Sequence, residues 1–213
     1  LEEFGPIGEE ELTFIKDEIN RLISTGKGIV ANVGAVDLGD IALVPGMHLK
    51  NPKGIRDFAE WYMSLVTRPE FIREIFERQV EIGIENLERI HGVLGNNIDV
   101  IQICGADFGT QESTFVSIEQ FKDIWLPSYR KVNNWVHENT DWKTFKHCCG
   151  AIEGFMKYFI EAGFDIINPV QINARGMDPK ILKEKYGKEI IFWGGGVDTQ
   201  KTLPFGTPAQ VRE

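Results

Sequence analysis

The chain has 213 residues, 42% of them hydrophobic, which is enough for one sizeable core and a single domain over residues 1–213. Its 23 basic and 32 acidic residues leave a formal charge of -9 with no basic block, which argues against nucleic acid as a partner. No apolar run approaches the roughly 20 residues of a membrane helix, and three cysteines, two of them adjacent, make a poor disulfide framework and suggest a reducing, cytoplasmic setting.

Residues 9–24 carry Leu12, Ile15, Ile19 and Leu22 at helical spacing, and GIVANVG at 28–34 follows as a short buried strand. The stretch from Val36 to Leu49 reads either as a short helix broken at Pro45-Gly46 or as a strand and turn. A helix is expected over 55–67, then a long amphipathic one from Pro69 to about His91 with Phe71, Ile75, Ile82, Leu87 and Ile90. IDVIQIC at 98–104 is a continuous apolar strand. The loop ADFGTQEST leads from it to Ser117, with Gln120 three residues later in capping-box spacing, and a helix over 118–139. KTFKHCC is the next strand, followed by a helix over 151–162 closed by Gly163, the strand FDIINPV, a helix from Asp178-Pro179 to Tyr186, and the strand IIFWGG. At the end, Thr207 and Pro208 announce a helix that stops within a few residues, and the chain begins at Leu1 without an initiator, so a fragment of a longer protein is expected.

Near-continuously apolar strands alternating with helices mean a parallel sheet, either open and doubly wound or closed as a barrel. Neither GGGVDT nor GKGIV has the spacing of a dinucleotide or phosphate-binding loop. Polar groups instead recur at the C-terminal ends of strands: Asp107, His147 with Cys149, Asn168 with Gln171, and Asp198 beyond the glycines. That is the habit of the (β/α)8 barrel. With five or six strands in view, the barrel is expected to be incomplete.

His147 and Cys149 are two apart, so strand alternation turns both to one side and Cys148 to the other. The pair offers two zinc ligands, an imidazole nitrogen and a thiolate, or else is a hydrogen-bonded core histidine beside a buried thiol. Cys104, three residues before Asp107, faces away from it on a regular strand. Asp107 needs a partner, a metal or water if buried, or caps its own loop. Asn168, held extended before Pro169, and Gln171 either orient a polar substrate or shape a turn. Arg175 clamps a carboxylate or lies at the surface, and the glycines around Gly195 admit a ligand or a neighbouring backbone.

DFGTQEST, FKHCCG, EAGFDIINPVQINARGMDPKILKEKYG and FWGGGVDTQKTLPFGTPAQVRE resemble the uroporphyrinogen decarboxylase superfamily, from about Ile98 onward. The superfamily holds haem-synthesis decarboxylases, corrinoid-dependent methyltransferases and many further relatives, and the resemblance implies a TIM barrel with its pocket at the C-terminal face. It implies that the earlier barrel strands and the last one lie outside this chain. The zinc-dependent methyltransferases of the family use a His-x-Cys pair, matched here by His147 and Cys149, plus a later cysteine that would fall beyond Glu213. This implies a zinc cofactor, with a methylcorrinoid as co-substrate or on a partner protein, and a small-molecule thiol. The alternatives are a cofactor-free decarboxylase, which in the family uses an inward aspartate and arginines of an N-terminal segment on a tetrapyrrole, and a non-catalytic barrel that docks a corrinoid protein. The decarboxylases place a pocket tyrosine in the region matched by IVANVGAVDLGDIALVPGM, which contains none. Exposed strand edges would favour association into a homo-oligomer.

Overall fold

Five parallel strands form one sheet in the order of the chain: β1 (Val30–Ala31), β2 (Val100–Cys104), β3 (Lys143–His147), β4 (Ile166–Asn168) and β5 (Ile191–Phe192). The computed structural model describes residues 5–33, 38–39, 55 and 57–212. Apart from 38–39, the stretch 36–49 that reads ambiguously in sequence lies outside the described residues, as does most of the region where a decarboxylase would carry its tyrosine.

The helices follow from their caps and stripes. α1 (Glu9–Ile23) buries Leu12 and Ile19. α2 (Phe58–Thr67) starts three residues later than its periodicity suggests, because the Asp57 side chain accepts from the Glu60 N–H at 2.8 Å and sets the first turn. α3 (Pro69–Leu94) opens on proline and ends at Gly95, whose φ of 52° few other residues adopt. Its buried stripe is centred on Ile72, Phe76, Val80, Leu87 and Ile90, whereas Phe71 is turned to solvent. The expected capping box is present: Ser117 Oγ accepts from Gln120 N–H, and Gln120 Oε1 accepts from Ser117 N–H, each at 3.1 Å. The helix over 118–139 runs as α4 (Ile118–Gln120), a wider π turn over Phe121–Trp125, and α5 (Leu126–Asn139). After β3 come a short 3₁₀ turn (Glu153–Phe155) and α6 (Met156–Glu161). α7 (Pro179–Tyr186) is capped by Asp178, and α8 (Thr202–Phe205) and α9 (Pro208–Arg212) complete the series. Among the described residues no helix is long and apolar enough to cross a membrane.

Strand order decides between the two parallel architectures. A doubly wound sheet reverses its order at a switch point, but here each strand pairs with its successor in sequence. The register then sorts side chains into two faces. Cys104, Lys146, Ile167 and Phe192 share one row on the side that packs against the helices. Phe145 pairs with Ile166, and Ile166 with Ile191, on the opposite side. There Val100, Phe145 and Ile166 form a small apolar cluster of their own with no helix residue in it. Phe145 meets Trp193 edge-on at 5.7 Å, while Val30 and Ile191 toward the sheet edges are about half exposed, at 47% and 54%. β1 is therefore a short edge strand rather than the buried one its apolar sequence suggests. Among the described residues the sheet is not closed into a barrel, and its single-direction winding is consistent with an incomplete (β/α) barrel.

The main core fills the helical side with aromatic rings. Phe108, Phe121, Trp125, Tyr129, Phe155 and Phe159 are all essentially inaccessible and pack edge-to-face, tilted or stacked against one another. Above this core, the loops after β2 and β3 pass backbone against backbone. A Cβ on Gly109 would stand 2.6 Å from Ala151 N, and one on Gly150 would stand 2.3 Å from Gly109 C and O. Gly150 also has a φ of 89°, so only glycine allows the crossing that brings the two strand ends together.

Candidate metal centre

Asp107 lies just beyond β2, His147 is the last residue of β3, and Cys149 follows it. Their ligand atoms all fall within 4.8 Å of one another. His147 Nε2 is 3.4 Å from Cys149 Sγ and 4.0 Å from Asp107 Oδ1. The chain has left regular strand geometry by Cys149, so alternation alone does not hold the pair together. The Cys149 backbone N–H donates to Asp107 Oδ1 at 2.6 Å, and this charge-assisted bond clamps the β3 loop onto the β2 loop.

The neighbours of His147 settle its tautomer. Asn168 donates its Nδ2 to the Trp193 carbonyl at 2.8 Å, so its Oδ1 must face the imidazole. His147 Nδ1 lies 2.9 Å from that oxygen and therefore carries the hydrogen. In the neutral ring Nε2 is then an unprotonated lone pair pointing at Cys149 and Asp107, the state a metal-binding histidine needs.

Burial, followed by the nearby Asp107 carboxylate, pushes the Cys149 thiol up to about 11. Fully buried Cys148 is pushed up to about 12, burial again leading, and it is a packing residue whose Sγ accepts the Phe108 N–H at 3.3 Å. Its opposite-facing position agrees with alternation. A tetrahedral zinc with nitrogen at about 2.0 Å and sulfur at about 2.3 Å needs an N···S separation of about 3.5 Å. The 3.4 Å between His147 and Cys149 meets that requirement. The matching N···O separation is about 3.3 Å, so Asp107 Oδ1 at 4.0 Å has to close by about 0.7 Å, within reach of a small side-chain rotation. One neutral imidazole, one thiolate and one carboxylate exactly offset a divalent charge, so the residues fit zinc with one position open.

The other residues singled out in the sequence divide clearly. Asn168 belongs to the site through His147. Gln171 joins its rim, its Oε1 accepting from Gly150 N–H at 3.0 Å and from Gln111 Nε2 at 3.1 Å. Gly195, with a φ of 81°, is explained by packing: a Cβ there would stand 3.2 Å from Val170 Cβ. Asp198 caps the following turn, accepting from Gln200 and Lys201 N–H groups at 2.8 Å each. Arg175 is exposed, and its backbone N–H donates to the Gln111 carbonyl at 2.9 Å. Cys104 faces the core, with Sγ 3.3 Å from Tyr129 Oη.

Three residues escape a reading of the sequence. Tyr62 on α2 is half-buried, and its phenol is pushed upward by burial first and then by the charge of Asp107. It stacks on Phe115 at 5.5 Å. Gln111 contributes the amide that meets Gln171, and Lys146 lies fully buried beneath the site. Tyr62 has no local signal, since its helix reaches the strand ends only in three dimensions.

No family profile and no curated protein matches this chain. Among solved structures it is similar to a methyltransferase from Methanosarcina mazei, at 12% identity and a TM-score of 0.55, covering 84% of this chain and 47% of that one. The chain thus spans about half the length of that structure, and the likeness at this identity is one of fold alone; the potential Asp/His/Cys metal site is read from this chain's own residues.

Proposed function

We propose that the chain carries the zinc site of a (β/α)8-barrel methyltransferase that moves a methyl group between a corrinoid and a small thiol. The convergence of Asp107, His147 and Cys149 within 4.8 Å at the ends of adjacent strands carries this reading. The sequential parallel sheet and the fold likeness to a methyltransferase support it. The corrinoid, bound directly or on a partner protein, follows from the family resemblance.

Zinc, when bound, lowers the pKa of a coordinated thiol and so presents a thiolate at neutral pH. The chain's own residues hold and orient. His147 offers Nε2 because Asn168 occupies its Nδ1–H. Cys149 gives up its proton to bind, and Asp107 supplies the second negative charge while anchoring the Cys149 peptide. The Gln111–Gln171 amide pair, held to the Gly150 N–H next to Cys149, is suited to polar parts of a substrate.

Elemental analysis is expected to find about one zinc per chain, lost in Cys149→Ala together with methyl transfer from methylcobalamin to a thiol. Absence of bound zinc, with Cys149→Ala behaving as wild type, sinks the assignment. A cofactor-free decarboxylase would need no metal, and porphyrinogen turnover by zinc-free protein would favour that reading. A zinc-loaded chain inert in both assays but retained by a corrinoid protein would favour a docking subunit.

A further inference from the structure

Lys146 is buried to zero exposure at the C-terminal end of β3, on the helical side of the sheet. Its ammonium faces the rings of Phe108, Tyr129, Phe159 and Phe164 at 5.1, 4.9, 5.6 and 5.8 Å from their centroids. Its three donors reach the Ala106 carbonyl at 3.0 Å, Tyr129 Oη at 3.3 Å and the His147 carbonyl at 3.4 Å. Among the described residues no carboxylate pairs with it. An apolar side chain of similar length would fill this aromatic cage without the cost of dehydrating a charge, so packing alone does not account for a lysine.

The acceptors show what the charge does. Ala106 immediately precedes Asp107, and its N–H is held in turn by Cys104 Sγ at 3.3 Å. His147 is itself a candidate ligand. Two of the three ammonium bonds therefore land on peptide groups at the metal centre, one on each strand end, from beneath the sheet. Tyr129 ties the third to Cys104 and so back to β2.

We infer that Lys146 is a positioning residue for the metal centre: by bridging the Ala106 and His147 carbonyls it fixes the separation of Asp107 from His147 and Cys149. This rests on the metal reading above. Its effect is on geometry, since the ammonium lies on the far side of the backbone from the ligands and touches neither metal nor substrate.

Cobalt(II) titration, read by its ligand-field and thiolate charge-transfer absorption, tests this on wild type and Lys146→Met alongside thermal melts. The methionine fills the aromatic cage, so Lys146→Met is expected to melt at or above the wild-type temperature. Its cobalt affinity is expected to fall by about 10–100-fold, with a displaced ligand-field spectrum. A merely structural lysine predicts the reverse, a lower melting temperature with wild-type affinity and spectrum. Should Lys146→Met fail to fold, Tyr129→Phe, which removes one of the three acceptors, is expected to shift the spectrum the same way by a smaller amount. Wild-type spectra and affinity in whichever variant folds overturn the inference and leave the metal reading standing. A wild-type chain that binds neither cobalt nor zinc defeats both.

Discussion

The crossing of the β2 and β3 loops makes Gly150 the most exacting position in the chain. In Gly150→Ala, the backbone keeps its φ of 89° only at the cost of left-handed strain, about 1–2 kcal/mol. The new Cβ also stands 2.3 Å from the carbonyl carbon and oxygen of Gly109 and 2.6 Å from Thr110 O, all backbone atoms that cannot rotate aside. Forcing such a contact adds about 1–3 kcal/mol. Relief requires the loops to separate, which pulls the Cys149 N–H from Asp107 Oδ1 and opens the metal centre. The combined cost is about 2–5 kcal/mol, and urea unfolding followed by tryptophan fluorescence should show a midpoint lowered by about 1–3 M. Gly154→Ala is the control, since its Cβ would meet nothing nearer than Ile118 Cδ1 at 3.9 Å. There the loss of unfolded-state freedom should stabilise the chain by up to about 1 kcal/mol. If the two variants unfold at the same urea concentration and bind cobalt alike, the loop crossing does not hold the site as argued.

The thiol of Cys149, pushed up to about 11, is protonated at neutral pH, so each metal bound as thiolate must displace that proton. Apparent zinc affinity is expected to rise about tenfold per pH unit between about pH 7 and 9, measured by chelator competition, and a flat profile would exclude Cys149 as a thiolate ligand. Because the folded pKa lies above the ordinary 9.0, the metal-free fold also loses stability as pH rises from about 9 through about 11, where the unfolded chain ionises first. Thermal melts of the metal-free chain across that range should fall more steeply for wild type than for Cys149→Ser. Asn168→Leu keeps side-chain bulk but removes the acceptor that fixes the His147 tautomer, and should weaken zinc binding by about 10–100-fold. Unchanged affinity in that variant would show that the Nδ1 contact does not orient the ring.

Local signals made most of the helices legible. Apolar spacing gave α1 and α3, the Ser117–Gln120 box gave the start of α4, and Asp178-Pro179 gave α7, each a feature confined to a few neighbouring residues. The strands were legible in place but not in extent. GIVANVG has an interior strand's composition, yet among the described residues β1 is the two-residue strand Val30–Ala31 and pairs with β2 alone. Asp57 was missed as the cap of α2, since a lone aspartate before an apolar run is ambiguous until its side chain is seen to accept from Glu60 N–H.

At the site, alternation paired His147 with Cys149 correctly but for an incomplete reason. The regular strand ends at His147, and what returns Cys149 to the same side is the Asp107 carboxylate together with the turn at Gly150. The third candidate ligand was sought beyond Glu213, whereas Asp107 already stands beside the pair. No spacing rule joins residues 107 and 147; the join comes from β2 and β3 being neighbours, with Gln102 opposite Phe145 in their register. Gly195 and Asp198 also have local structural roles, the first packing against Val170 and the second capping the turn before α8. Attention to strand-end residues that face the pocket passes over Lys146, a charge that alternation sends to the helical side. Yet a lysine placed among apolar positions needs three acceptors or a counter-ion. Two of its three acceptors belong to the peptide groups of Ala106 and His147. If Lys146 positions the metal centre as inferred, its charge on the helical face of the sheet is itself a pointer to the site on the other face.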